Sequence, residues 1–206
     1  MSALTTDLPP NDSQFPIGRE PFDDALLRNQ YERGGFAQLP LGQSPLTSLQ
    51  IELLRNFARE APYGEPMESY GFTHGRLRLH LSPAAAMYGD SCDSDLAQAT
   101  FAKRELLDWI GRITGCSSLS LLGMSLRTYA DNDQIGTHTD DEVAVVIPMR
   151  TGDPELDQYR GGELTINRET PDEQRDQIFV IRPGIPHGVS RVIGPGARRA
   201  FSIGVH

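Results

Sequence analysis

A chain of 206 residues and 22.7 kDa, 38% hydrophobic and 23% charged, suits one domain with its own core and excludes a disordered or fibrous protein. Its formal charge of −9, from 28 acidic against 19 basic residues, repels phosphate backbones and predicts no nucleic-acid partner. Two cysteines, Cys92 and Cys116, make neither a disulfide framework nor a zinc cage; with no apolar leader or membrane-length apolar run, a cytoplasmic protein that meets no membrane is expected.

Residues 1–21 hold four prolines and many small polar groups, which predicts a loosely ordered lead-in to a single domain over 22–206. From Phe22 an amphipathic helix runs to Gly34-Gly35, and Phe36 to Leu41 follows as a strand. Thr47 opens a second helix, with Leu49, Ile51, Leu53, Leu54, Phe57 and Ala58 towards one face, and Pro62 closes it. Strict alternation in Arg76–Leu81 predicts a strand with Leu77, Leu79 and Leu81 on one face and a cationic face of Arg76, Arg78 and His80. A third helix is expected from about Ala97 to Ile113, stopping at Gly115. Strands follow at Leu119–Tyr129, Val143–Met149, Glu163–Asn167, Gln177–Ile181, His187–Ile193 and Arg198–Val205, with Thr151–Arg160 as a polar loop. The fold class expected is α+β, mainly β: N-terminal helices supporting a jelly roll of short antiparallel strands.

The sharpest local feature is Gly136-Thr-His138-Thr-Asp140-Asp-Glu142. Residues two apart in an extended chain point to the same side, so His138 and Asp140 can converge on one point. His187 opens a late strand 47 residues after Asp140, and two imidazoles with one carboxylate make the facial set of non-haem Fe(II), which leaves three positions open. Catalytic zinc uses the same donors. An anion anchor separates the two: Arg198, eleven residues after His187, shares a strand face with Ala200, Ser202 and Gly204. Its planar fork suits a carboxylate, whereas Arg199 falls among Phe201, Ile203 and Val205 and is expected to be a solvated charge.

The ordered set His138-x-Asp140, Gly161-Gly-Glu-Leu, His187 and Gly196-Ala-Arg198 resembles the Fe(II)/2-oxoglutarate-dependent oxygenases, most closely their prolyl-hydroxylase-like group, over roughly residues 119–205. The resemblance implies a double-stranded β-helix, with Fe(II), O2 and 2-oxoglutarate as cofactors and co-substrates and ascorbate as a stimulant. It implies that His138, Asp140 and His187 hold the metal, and that Tyr129, nine residues before His138, joins Arg198 on the distal carboxylate of 2-oxoglutarate. The reaction implied decarboxylates 2-oxoglutarate to succinate and CO2 while a C–H bond is hydroxylated. The related halogenases replace the carboxylate ligand by a small residue, so Asp140 favours hydroxylation. Tyr129 to Glu142 also resembles the AlkB-type nucleic-acid demethylases, but those carry a second arginine where this chain has Gly204.

Among the remaining candidates, Arg127 lies two residues before Tyr129 and should face the same way, towards substrate or the near carboxylate of the co-substrate. Arg76 and Arg78 are candidates for a pocket mouth that receives a substrate carboxylate, and Ser202 for a hydrogen bond to the co-substrate. Gly161-Gly162 is expected to serve close backbone packing. The reading is a hydroxylase acting on a small molecule such as a free amino acid or biosynthetic intermediate; the alternatives are an AlkB-like demethylase and a jelly-roll metal sensor without turnover. Oligomeric state is not encoded in any feature of the sequence.

Overall fold

Asp23 accepts hydrogen bonds from the backbone N–H groups of Ala25 and Leu26, at 2.9 and 3.3 Å, and so starts helix α1, Asp24–Gly34. Gly35 ends it at a φ of +83°, a left-handed conformation that glycine takes without steric penalty. These residues belong to a computed structural model that describes residues 23–60, 66–69, 73–80, 99–172 and 174–206, with backbone pairing alone for 66–69 and 73–80. The lead-in over 1–21, Leu81 and Cys92 lie outside the described residues.

Strand β1, Phe36–Pro40, leads through a short 3-10 turn to α2, Ser48–Glu60. The helix is opened by a capping box in which the Gln50 backbone N–H donates to the Thr47 hydroxyl at 3.2 Å and the Thr47 N–H to the Gln50 side-chain Oε1 at 2.7 Å. β2, Pro66–Ser69, and β3, Thr73–His80, form a hairpin. The helix expected from 97 is broken. A separate helical turn at 99–101 ends before Lys103, whose ψ of 134° is extended, and α3 spans Arg104–Thr114. The break lets Phe101 stack on Phe201, with ring centroids 5.4 Å apart, while Trp109, Ile110 and Ile113 bury along α3. Apolar periodicity marks both pieces and cannot mark the joint between them.

The rest is sheet: β4 Leu121–Tyr129, β5 Ile135–His138, β6 Val143–Met149, β7 Arg160–Gly161, β8 Leu164–Ile166, β9 Gln177–Ile181, β10 His187–Val189, β11 Val192–Ile193 and β12 Arg198–Val205. The single strand expected over His187–Ile193 is two, because Ser190 turns aside to exchange backbone and side-chain hydrogen bonds with Glu163. All pairings are antiparallel. A seven-stranded sheet runs β1-β9-β6-β12-β4-β3-β2, and the smaller sheets are β5-β10-β8 and β11-β7.

Alternation sorts the large sheet's side chains into two layers. Leu126, Val145, Ile147, Val180, Phe201 and Ile203 pack against Leu27, Leu54, Ala58, Trp109 and Ile113 of the helices. Tyr129, Ala144, Val146, Phe179, Ile181 and Ala200 pack against Leu164, Ile166 and Val189 of the three-stranded sheet. The helices thus back the large sheet, and its other face and the small sheet enclose a second core.

One expectation fails in the helix layer. Arg199 is not a solvated charge: it is 2% exposed and donates to the carbonyl oxygens of Ala58 and Arg59, the latter at 2.9 Å. Its cation caps the negative C-terminal end of α2, which repays burial on an otherwise apolar face. Among the described residues, no helix is long and apolar enough to cross a membrane.

Candidate metal centre

β5 and β10 bring the two histidines together, since His138 and His187 are direct partners in their antiparallel register. Gly188 permits that approach, because a Cβ there would lie 2.9 Å from the Ile135 carbonyl oxygen. The imidazole centroids are 4.4 Å apart. Asp140 follows β5, and its carbonyl accepts from the Gly184 N–H at 2.9 Å, tying the loop before His187 to the loop after His138. One carboxylate oxygen of Asp140 lies 3.3 Å from His187 Nε2 and the other 3.9 Å from His138 Nε2. One ligand atom from each of the three residues fits within 4.8 Å of the others.

The rings present the right atoms for a metal. Nδ1 of His138 lies 3.0 Å from the Gly136 carbonyl oxygen and Nδ1 of His187 3.0 Å from that of Ile185. With Nδ1–H assigned to those carbonyls, each Nε2 lone pair is left for a ligand. Burial holds the His138 pKa below its ordinary value, and the neighbouring His187 and Arg127 add to the effect. In the metal-free protein a hydrogen bond between His187 Nε2 and Asp140 holds the carboxyl below the usual carboxylate range, and the charge of Arg127 adds to it; a metal would take the place of that proton. Two neutral imidazoles and one carboxylate are the protonation states coordination requires.

Arg198 opens β12 opposite Tyr129 of β4, with its guanidinium carbon 5.1 Å from the centre of that ring. The residue is 2% exposed, and both terminal nitrogens are buried without a hydrogen-bond partner among the described residues. Burial pulls its pKa down, and the charges of Arg127 and Arg175 act in the same direction. A buried, unpaired guanidinium is costly, so this arrangement needs an anion. Gly162 makes room for it: a Cβ there would lie 2.8 Å from Arg198 Cδ and 2.9 Å from a Val192 methyl. A Cβ on Gly161 would strike the Arg191 carbonyl oxygen, so the glycine pair serves close packing.

Arg127 pairs with Ala200, one same-face step from the Arg198–Tyr129 pair, and its charge reaches both His138 and Asp140. Its Nε is buried without a partner. Ser202, half-buried, lies one step further, opposite Ser125. On β3 the register sets Leu77 opposite Arg127 and His80 opposite Ser125, whereas Arg76 and Arg78 stand opposite Thr128 and Leu126 in the alternate row. Strand patterning did not single out Tyr159 and Arg175. The guanidinium carbon of Arg175 sits 4.3 Å from the centre of the Tyr159 ring, and the available signal was an aromatic two residues before Gly161 in a polar loop.

No family model matches the sequence, and no curated protein matches it. Solved structures do match. A 2OG-Fe(II) oxygenase family oxidoreductase from Burkholderia pseudomallei superposes with a TM-score of 0.64 at 14% identity, covering 89% of each chain. A prolyl-4-hydroxylase from Pseudomonas putida gives 0.60 at 16% identity, over 89% of this chain and 98% of that one. HygX from Streptomyces hygroscopicus, whose crystal structure holds nickel and 2-oxoglutarate, gives 0.57 at 12% identity, over 87% and 85%. The fold of this chain is therefore the one used by solved 2-oxoglutarate/Fe(II) oxygenases, prolyl hydroxylases among them, and it carries a His-Asp-His group with the donor set for a metal.

Proposed function

We propose that the chain is an Fe(II)/2-oxoglutarate-dependent oxygenase that hydroxylates an unactivated C–H bond of a small molecule such as a free amino acid or biosynthetic intermediate. We read the facing sheets as a jelly roll, with residues 119–205 as the catalytic core of one domain over 22–206. The observation that carries the proposal is the pairing of two incomplete sites: three ligand atoms within 4.8 Å of one another, and a buried guanidinium with no anion.

His138, Asp140 and His187 fit a ferrous ion because they supply three donors, with no fourth in the group among the described residues. Arg198 fits the distal carboxylate of 2-oxoglutarate, with Tyr129 beside it and Ser202 further along the same face. Iron and 2-oxoglutarate, once held, supply the oxidising power: O2 is consumed, 2-oxoglutarate loses CO2 to become succinate, and one oxygen atom enters the substrate. The protein's part is to position and enclose. Ala144, Val146, Phe179, Ile181 and Ala200 belong to the apolar core between the sheets, beside the metal group and Arg198, and that core would keep water from the reacting centre. Arg127, in the row that also carries Tyr129, adds a positive charge where an anionic substrate group or the near carboxylate of 2-oxoglutarate can use it. Arg76 and Arg78, expected at the mouth, fall instead in the row of Thr128 and Leu126, the alternate row to the one that carries Tyr129 and Arg127.

The test is succinate formation in the presence of Fe(II), ascorbate, 2-oxoglutarate and a panel of free amino acids. Iron-dependent succinate is expected, with ascorbate stimulating. Asp140→Ala should abolish it while the metal-free variant still folds, and Arg198→Met should raise the 2-oxoglutarate requirement at least tenfold. A wild-type protein that neither binds nor consumes 2-oxoglutarate in the presence of iron overturns the proposal.

A further inference from the structure

More than Tyr129 lies beside Arg198. The chain before Arg198 is stitched to the loop carrying Tyr159: the Gly196 N–H donates to the Gln158 carbonyl at 3.0 Å, and the Ala197 N–H to that of Leu156 at 2.8 Å. A Cβ on Gly196 would lie 2.4 Å from the Leu156 carbonyl oxygen, so these backbones touch. Past Tyr159 the chain meets Arg198 again, because Gly162 packs on the arginine's aliphatic stem. The loop that carries Tyr159 is therefore tied on both sides to the chain around Arg198, close enough for the charge of the arginine to bear on the phenol, and the ring packs on the cluster that contains Tyr129, Val192 and Ala200.

Arg175 lies against the ring, and its Nη2 donates to the Tyr159 carbonyl at 3.4 Å. It is itself fixed by Gln174, whose amide bonds both the N–H and the C=O of Leu164 on β8, at 2.5 and 3.0 Å. The Tyr159 hydroxyl makes no hydrogen bond among the described residues. Burial keeps it protonated, while the charges of Arg175 and Arg198 both bear on it. A neutral phenol near an unpaired guanidinium has its O–H available to an anion that the guanidinium attracts.

We propose that Tyr159 is a third residue, with Arg198 and Tyr129, for the distal carboxylate of a 2-oxo diacid, donating its phenolic O–H to that carboxylate, and that Arg175 positions the ring by stacking on it. The assignment rests on the oxygenase reading, so the test must tell the two apart. The Ni(II)-loaded protein is titrated with 2-oxoglutarate and with 2-oxovalerate, which has the same chain with a methyl group in place of the distal carboxylate. The ratio of the two affinities isolates recognition of that carboxylate, since damage to the fold or to the metal site weakens both ligands together.

Tyr159→Phe should lower the ratio several-fold to tenfold by weakening 2-oxoglutarate alone. Arg175→Met should lower it less, and the double variant no further than Tyr159→Phe, because a positioning residue has nothing to position once the hydroxyl is gone. An unchanged ratio in Tyr159→Phe overturns the inference, and an additive double variant overturns the positioning role of Arg175. If wild type shows no preference for 2-oxoglutarate, the oxygenase reading falls with it. If Arg198→Met removes the preference while both single variants keep it, only the present inference falls.

Discussion

His138 and Asp140 are both held below their ordinary pKa values, and the sign of the consequence is the same for each. A group that binds protons more weakly folded than unfolded stabilises the fold above its unfolded value and loses that contribution as pH falls through its folded value. The metal-free protein should therefore lose stability from about pH 6.5 downward through His138, and again in the acidic carboxylate range through Asp140. Ni(II) affinity should fall as acid protonates His138, because a protonated imidazole has no lone pair left for the metal. Melting temperature and equilibrium titration check the two, and a melting temperature that rises from pH 7 to 5.5 contradicts the sign. Gly162 is the other residue on which the site turns. Its φ is +70° and a Cβ would meet the stem of Arg198, so Gly162→Ala should cost about 1 kcal/mol of stability in backbone strain. It should also weaken 2-oxoglutarate binding more than 2-oxovalerate binding by displacing the guanidinium.

At the level of elements, β12 presents two arginines in succession to two different layers. Arg198 faces the cavity between the sheets and Arg199 the end of α2. Arg199→Met should leave the last carbonyls of α2 without their charged donor and cost about 2 to 3 kcal/mol in urea unfolding, with 2-oxoglutarate affinity unchanged. A loss of affinity matching that of Arg198→Met would mean the two faces are coupled. This strand also marks what was legible in the sequence. Period-2 alternation told which residues share a face, and the spacing of His138 and Asp140 with His187 at a strand start drew the metal group, because both are local properties of an extended chain. What covers a face is a tertiary fact, so Arg199 was expected in water and is buried on a helix end. Two-residue strands such as β7 and β11 are too short for periodicity to register. Tyr159 acts from a loop held by backbone hydrogen bonds to residues 196 and 197, which no spacing rule reaches.

Across the whole molecule, a chain of formal charge −9 brings Arg127 and Arg175 close enough to Arg198 for their charges to act on it. The local field therefore opposes the global one, and a small dianion that fits between the sheets gains from the first while paying little to the second, which salt screens over about 8 Å at physiological ionic strength. A nucleic acid meets the opposite balance. It needs a basic surface many phosphates long, and each contact it neutralises appears as salt dependence of binding. On β12, the position that carries a second arginine in the demethylase-like pattern is Gly204, where a Cβ would lie 3.1 Å from the carboxylate of Glu142, so an acid faces that spot. A single-stranded oligonucleotide bearing a methylated base should neither bind at about 150 mM salt nor accelerate succinate release, while succinate release should still need 2-oxoglutarate and Fe(II). Binding whose logarithm falls linearly with the logarithm of salt concentration, together with acceleration by the methylated but not the unmethylated strand, would move the substrate from the small-molecule class to nucleic acid and leave the metal and co-substrate assignments standing.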